Sequence, residues 1–131
     1  MTDATKTSFS SGDAVTILDQ NTNQSFLGKM IRRNVELKIP KMPQYGFEVQ
    51  YFVKLDEVSY KTILLEGWHI YASIVGQIKR CIVTSISGED LKVQTYDPAI
   101  GHLPMQYDYT IKYKNIDCIL ISQNAFIITK I

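Results

Sequence analysis

Between Gly46 and Leu55 the chain reads GFEVQYFVKL, in which Phe47, Val49, Tyr51, Val53 and Leu55 alternate with Glu48, Gln50, Phe52 and Lys54. Successive side chains of a strand point to opposite faces, so this spacing gathers five apolar groups on one side, whereas a 3.6-residue helix would scatter them. The stretch is predicted to be a half-buried β-strand. Phe52 occupies an outward slot of it. Either a second layer supplied by the rest of the chain covers that ring, or the ring is offered to a partner.

The same period recurs along the chain. AVTIL at 14–18 places Val15 and Ile17 on one face, and the run DQNTNQS after it has turn chemistry. Val35, Leu37 and Ile39 alternate before Pro40 and Pro43 stop the ladder. Beyond the central strand come a polar DEVSY, read as a turn, and KTILLEG, read as a fourth strand. The only place offered for a helix is 63–72, and Gly67 disfavours it. IKRCIVTSI and LKVQTY flank Ser87-Gly88-Glu89-Asp90 as a hairpin. Tyr107, Tyr109, Ile111 and Tyr113 form another alternating strand, and CILIS and AFIITKI are two last short ones.

The fold class expected is all-β. A polar tail covers residues 1–11. Pro43 and Pro104 are 61 residues apart, and Tyr51 and Tyr113 are 62 apart, each pair set in a similar order of loop and strand. That layout predicts two small barrels in tandem, 12–72 and 76–131; the alternative is a single β domain, 12–131, built as one larger barrel or sandwich. The first half, with GDAVTI, FLGKMI, FEVQYFVKL and KTILLEG, resembles the SH3-like barrels of the KOW and Tudor type. The second, with IKRCIVTSISGEDLKVQTY and YTIKYKNIDCILIS, resembles Sm-like small barrels. These resemblances imply binding, to nucleic acid or to protein tails, without fixing which.

Bulk composition narrows the function classes. Hydrophobic residues make 45% of the 131 and charged residues 21%, enough apolar surface for a core without staples. A net charge of +1 argues against a purely electrostatic grip on nucleic acid or anionic membrane. No apolar run is long enough to span a bilayer, and MTDATKTSFSSGD lacks the apolar centre of a signal peptide, so a cytoplasmic or virion-internal location is expected, neither secreted nor membrane-bound. Eleven Lys against three Arg, with many Ile, Asn and Tyr, hints at an A/T-rich genome such as many bacteriophages have.

Motifs for catalysis and cofactors are missing from the sequence. His69 and His102 are isolated, and no nucleotide-binding, zinc-protease or serine-hydrolase motif occurs. Cys81 and Cys118 sit within strand-like runs and read as buried thiols rather than a disulfide or metal pair. No enzymatic activity, cofactor or metal is therefore expected. Candidate binding residues are Lys29, Arg32 and Arg33, with Phe52, Trp68 and Tyr71 as aromatic partners. On a regular strand Lys29 and Arg33 would share a face, and Lys79 and Arg80 would extend the patch. The leading expectation is a non-enzymatic interaction or assembly protein, a structural adaptor of phage or virion type, that holds a protein partner or self-assembles. The alternative is RNA or single-stranded DNA binding on a basic strand face with bases stacked on aromatics.

Overall fold

A computed structural model describes residues 9–37, 47–97 and 105–131. In chain order its elements are β1 (Ala14–Asp19), β2 (Ser25–Leu37), β3 (Phe47–Lys54), α1 (Glu57–Ile63), β4 (His69–Ile74), β5 (Gln77–Ser87), β6 (Asp90–Asp97), β7 (Met105–Lys112), β8 (Ile116–Ser122) and β9 (Phe126–Lys130), with a 3₁₀ turn at Tyr113–Asn115. The protein is all-β with antiparallel pairing and one two-turn helix. Chain contacts divide it into two compact units, Met1–Lys54 with Ile121–Ile131, and Leu55–Leu120.

In the first unit the strands lie in the order β3-β2-β1-β9. The register sets Ile17 opposite Phe26 on β2 and Ile128 on β9, and Met30 opposite Val53. Val15, Ile17, Phe26, Met30, Tyr51, Val53 and Phe126 are buried on this inward face. The Phe9 ring meets Tyr51 edge-on, with centroids 5.5 Å apart. Between β1 and β2 the backbone N–H of Asn21 donates to Asp19 Oδ1 at 2.9 Å, the local bond that makes Asx residues turn formers.

The second unit runs β7-β6-β5-β4-β8. Ile70 and Cys81, Val83 and Val93, and Leu91 and Ile111 are directly opposed core pairs. The predicted 87–90 hairpin is present: Ser87 pairs with Asp90, and Gly88 takes φ +60° at the first turn position, which a side chain would oppose. The β4–β5 turn is stranger. It closes through Val75 at φ +50° and Gly76 at +77°, putting a β-branched residue in left-handed backbone.

One expectation is corrected here. DEVSY and the start of KTILLEG form α1 rather than a turn and a strand. Asp56 caps the helix, its Oδ1 accepting the N–H of Ser59 at 2.7 Å, and Tyr60, Ile63 and Leu64 bury one side at helical spacing. That Ser59 N–H holds the Asp56 carboxyl below its ordinary range. Tyr60 fastens the helix: its hydroxyl accepts the buried N–H of Leu55 at 2.8 Å, and burial pushes its pKa up to about 12. Of the two readings of Phe52, the covered one holds: it is only 1% exposed and belongs to the core, and over 50–53 the central strand is buried on both faces.

Candidate functional site

Register decides which side of the first unit each polar residue occupies. Lys29 sits directly opposite Lys54, and Met30 opposite Val53, but Arg32 is opposite Phe52, so Ile31 is an extra residue in β2. This bulge reverses the alternation. Lys29 therefore shares its face with Arg32 and Lys54, while Arg33 pairs with Tyr51 on the other. The expected Lys29–Arg33 face is corrected accordingly. The Arg32 guanidinium lies over the Phe52 ring, 4.7 Å from its centroid, so Phe52 acts as a buried support for that cation rather than as a surface for a partner.

The outward face of β2, β1 and β9 continues from these cations as an apolar surface. Leu27, Thr16 and Thr129 form one cross-strand row, and Ser25, Leu18 and Ile127 the next. Leu27 is 65% exposed, Ile127 49% and Ile131 69%. Ile131 donates its N–H to Ala14 O at 3.0 Å, which sets it beside Ala14 on this same face, one strand from Lys29. Directly opposed side chains in a sheet are about 5 Å apart, so Leu18 and Ile127 touch and Leu27 lies on the diagonal. Sequence reading missed this face. A signal was present: Ile17-Leu18 and Ile127-Ile128 are adjacent apolar pairs, and in a strand one member of each must point away from the core.

Trp68 and Tyr71 belong to the second unit. Trp68 is half-buried just ahead of β4, its carbonyl accepting the N–H of Val83 at 2.9 Å. Tyr71 is half-buried opposite Arg80, whereas Lys79 pairs with Ala72 on the other face of β5. So Lys79 and Arg80 do not act as one cationic pair. His69 sits opposite Ile82 in β4. Lys38 and Lys41, two further cations read with the basic patch, Tyr45, a further aromatic, and His102 lie outside the described residues.

The outward face of β6 and β7 is polar and its cross-strand neighbours bond one another, while Ile78 on the same side of β5 is 55% exposed. Gln94 Nε2 donates to Asp108 Oδ1 at 3.2 Å, Thr84 Oγ1 to Lys92 O at 3.1 Å, and Lys112 pairs with Asp90 across the strands. Two depressions open on this unit. One of about 360 Å³ is lined by Thr84, Lys92, Gln94, Asp108, Tyr109 and Thr110. The other, about 330 Å³, lies around Lys61, Glu89, Lys112 and Tyr113, where Lys61 Nζ bonds Glu89 at 2.9 Å.

Cys81 and Cys118 are both buried thiols. Burial pushes the Cys81 thiol up to about 11, so at neutral pH it is protonated. Among the described residues, no three His, Cys, Asp or Glu side chains cluster as a metal would require, and no helix is long and apolar enough to cross a membrane. Comparison with protein-family models, with curated proteins and with solved structures finds no match to this chain.

Proposed function

We propose that this protein is a non-enzymatic interaction module for assembly, which holds a protein partner on the outward face of β1, β2 and β9. One observation carries the reading: Leu27, Leu18, Ile127 and Ile131 share one sheet face, and three of the four are substantially exposed. Exposed apolar residues scattered singly need no explanation, but contiguous ones on a regular sheet mark a surface that another molecule covers. The likeness of the two halves to small binding barrels, and residue usage of an A/T-rich type, suit a virion-associated structural adaptor. Leu27→Asp tests it. Retention of co-purifying protein should be insensitive to salt and should fall about tenfold in the variant, the usual cost of charging a central apolar contact. Equal retention by wild type and variant would reject the face.

The cluster of Lys29, Lys54 and Arg32 favours a second reading, nucleic-acid binding on the adjoining part of the same face. Three cations on one sheet face are the footprint a phosphate backbone would meet. Under this reading the purified protein carries material absorbing at 260 nm, sheds it as salt rises, and loses it on Lys29→Ala with Arg32→Ala.

A further inference from the structure

We propose that β9 is a dimerisation edge, to which a second copy of this chain adds its own β9 antiparallel with Thr129 on the two-fold axis. The inference concerns the rim of the face described above and the identity of one partner, and its test separates it from that reading.

The backbone supplies the first argument. Ile131 donates its N–H to Ala14 O at 3.0 Å, and Gln20 donates to Ala125 O at 3.2 Å. Groups along a strand alternate sides, so 125, 127, 129 and 131 direct their N–H and C=O toward β1, and Ile128 and Lys130 direct theirs the other way. The sheet order ends at β9, whose strand partner among the described residues is β1. That leaves two donors and two acceptors on a short edge available to a strand of another molecule.

Side chains then select the occupant and the register. The segment Ile127-Ile128-Thr129-Lys130-Ile131 has an exposed isoleucine two residues to either side of Thr129. With Thr129 on the axis, Ile127 opposes the second copy's Ile131, Ile131 opposes its Ile127, and the two threonines face each other. Ile128 and Lys130 exchange four backbone hydrogen bonds with their counterparts. Centring on Ile128 instead would oppose Ile127 to Thr129 and Ile131 only to the small Ala125 in the turn before β9. Self-complementarity of this kind is what an isologous two-fold contact demands. Charge permits it as well: Lys130 lies on the inward face, 3.4 Å from Asp13 Oδ2, and in this register no two lysines are opposed. The β7 edge carries two charges of the kind that discourage strand addition, Asp108 and Lys112, against the single Lys130 of β9. A seam five residues long falls below a standard interface, so the dimer should be concentration-dependent, with Kd of about micromolar order.

Cysteine cross-linking of the purified full chain tests the geometry. In a non-hydrogen-bonded antiparallel pair the Cα atoms are about 4.5 Å apart, within disulfide reach, so Thr129→Cys should cross-link almost completely under mild oxidation. Thr16→Cys lies one strand further from the axis on each side, about 14 Å from its counterpart, and should cross-link at least about tenfold less. Buried Cys81 and Cys118 give little background. Light scattering of the wild type through the micromolar range should show reversible dimer, unchanged by Leu27→Asp and shifted about tenfold toward monomer by Ile131→Lys. Monomer at every concentration, equal cross-linking of the two cysteine variants, or a dimer lost with Leu27→Asp would each overturn the proposal. A dimer that survives Leu27→Asp while the other partner is lost separates the two readings.

Discussion

Two outward sheet faces follow the same pairing rules and carry opposite chemistry. On β6 and β7 the cross-strand neighbours satisfy one another, Gln94 with Asp108 and Lys112 with Asp90. On β3, β2, β1 and β9 the neighbours are alike: Lys29 stands opposite Lys54, and Leu18 opposite Ile127. Opposite charges and amide pairs make a face stable in water, while like charges and exposed isoleucines do not. A face with exposed apolar neighbours is the one to suspect of meeting a partner.

The contrast can be broken most directly at its apolar end. Leu27→Asp combined with Ile127→Asp should weaken partner binding roughly a hundredfold, measured by titration, while Thr84→Ala with Thr110→Ala changes it less than about twofold. If both pairs behave alike, the two faces are equivalent. The self-sufficiency of the second unit rests partly on Tyr60, and Tyr60→Phe strands the buried Leu55 N–H. That should cost about 1–3 kcal/mol in denaturant unfolding. A raised phenol pKa has its own signature in this unit. Stability from the neutral hydroxyl is present below the ordinary value near 10 and is lost as pH rises toward the folded value of about 12, a decline absent in the phenylalanine variant.

Val75 is the exception that sharpens the comparison. At 92% exposure it is the most open large apolar residue described, yet it stands in a tight turn rather than on a sheet face, in backbone that suits asparagine or glycine. Val75→Asn should stabilise by about 1 kcal/mol in thermal unfolding and leave partner binding untouched. Lys29→Glu, which turns a like pair into an opposite one, should raise stability by roughly 0.2–1 kcal/mol and abolish any salt-sensitive nucleic-acid binding. The smallest effect is at acid pH. Asp56 is held below its ordinary pKa by the Ser59 N–H, so its capping contribution is complete above about 4, the ordinary aspartate value, and fades as pH falls through the lower folded value. Asp56→Asn should flatten that part of a melting-temperature profile.

Period-two patterning made the strands legible. β1, β5, β6, β8 and the core of β3 follow from alternation alone, and the Gly88 turn from its glycine. The helix was harder to see because seven residues carry only two turns of period, although Asp56 three places before Ser59 is a capping pattern. Phe52 was undecidable: alternation gives the side of a sheet but not whether that side is covered. The candidate face was read only in part, because alternation assumes an unbroken register and β2 does not keep one. Arg32 and Lys29 meet across the bulge, and no composition or period reports an extra residue in a ladder.

That extra residue makes β2 a strand with two phases. Up to Lys29 the odd positions face outward, and from Arg32 the even ones do. In genetic terms, loss of the single codon for Ile31 would remove the bulge and leave the ladder's partners in place. With pairing to β3 kept, Met30 and Arg32 would become neighbours opposite the adjacent Val53 and Phe52, so Met30 and Phe26 would stay on the buried side and Lys29 on the outward one. A codon gained or lost in the nearby 20–24 turn would leave both phases as they are. Length variation in this gene should therefore be found at that turn and at the Ile31 bulge, and be missing from the rest of the ladder.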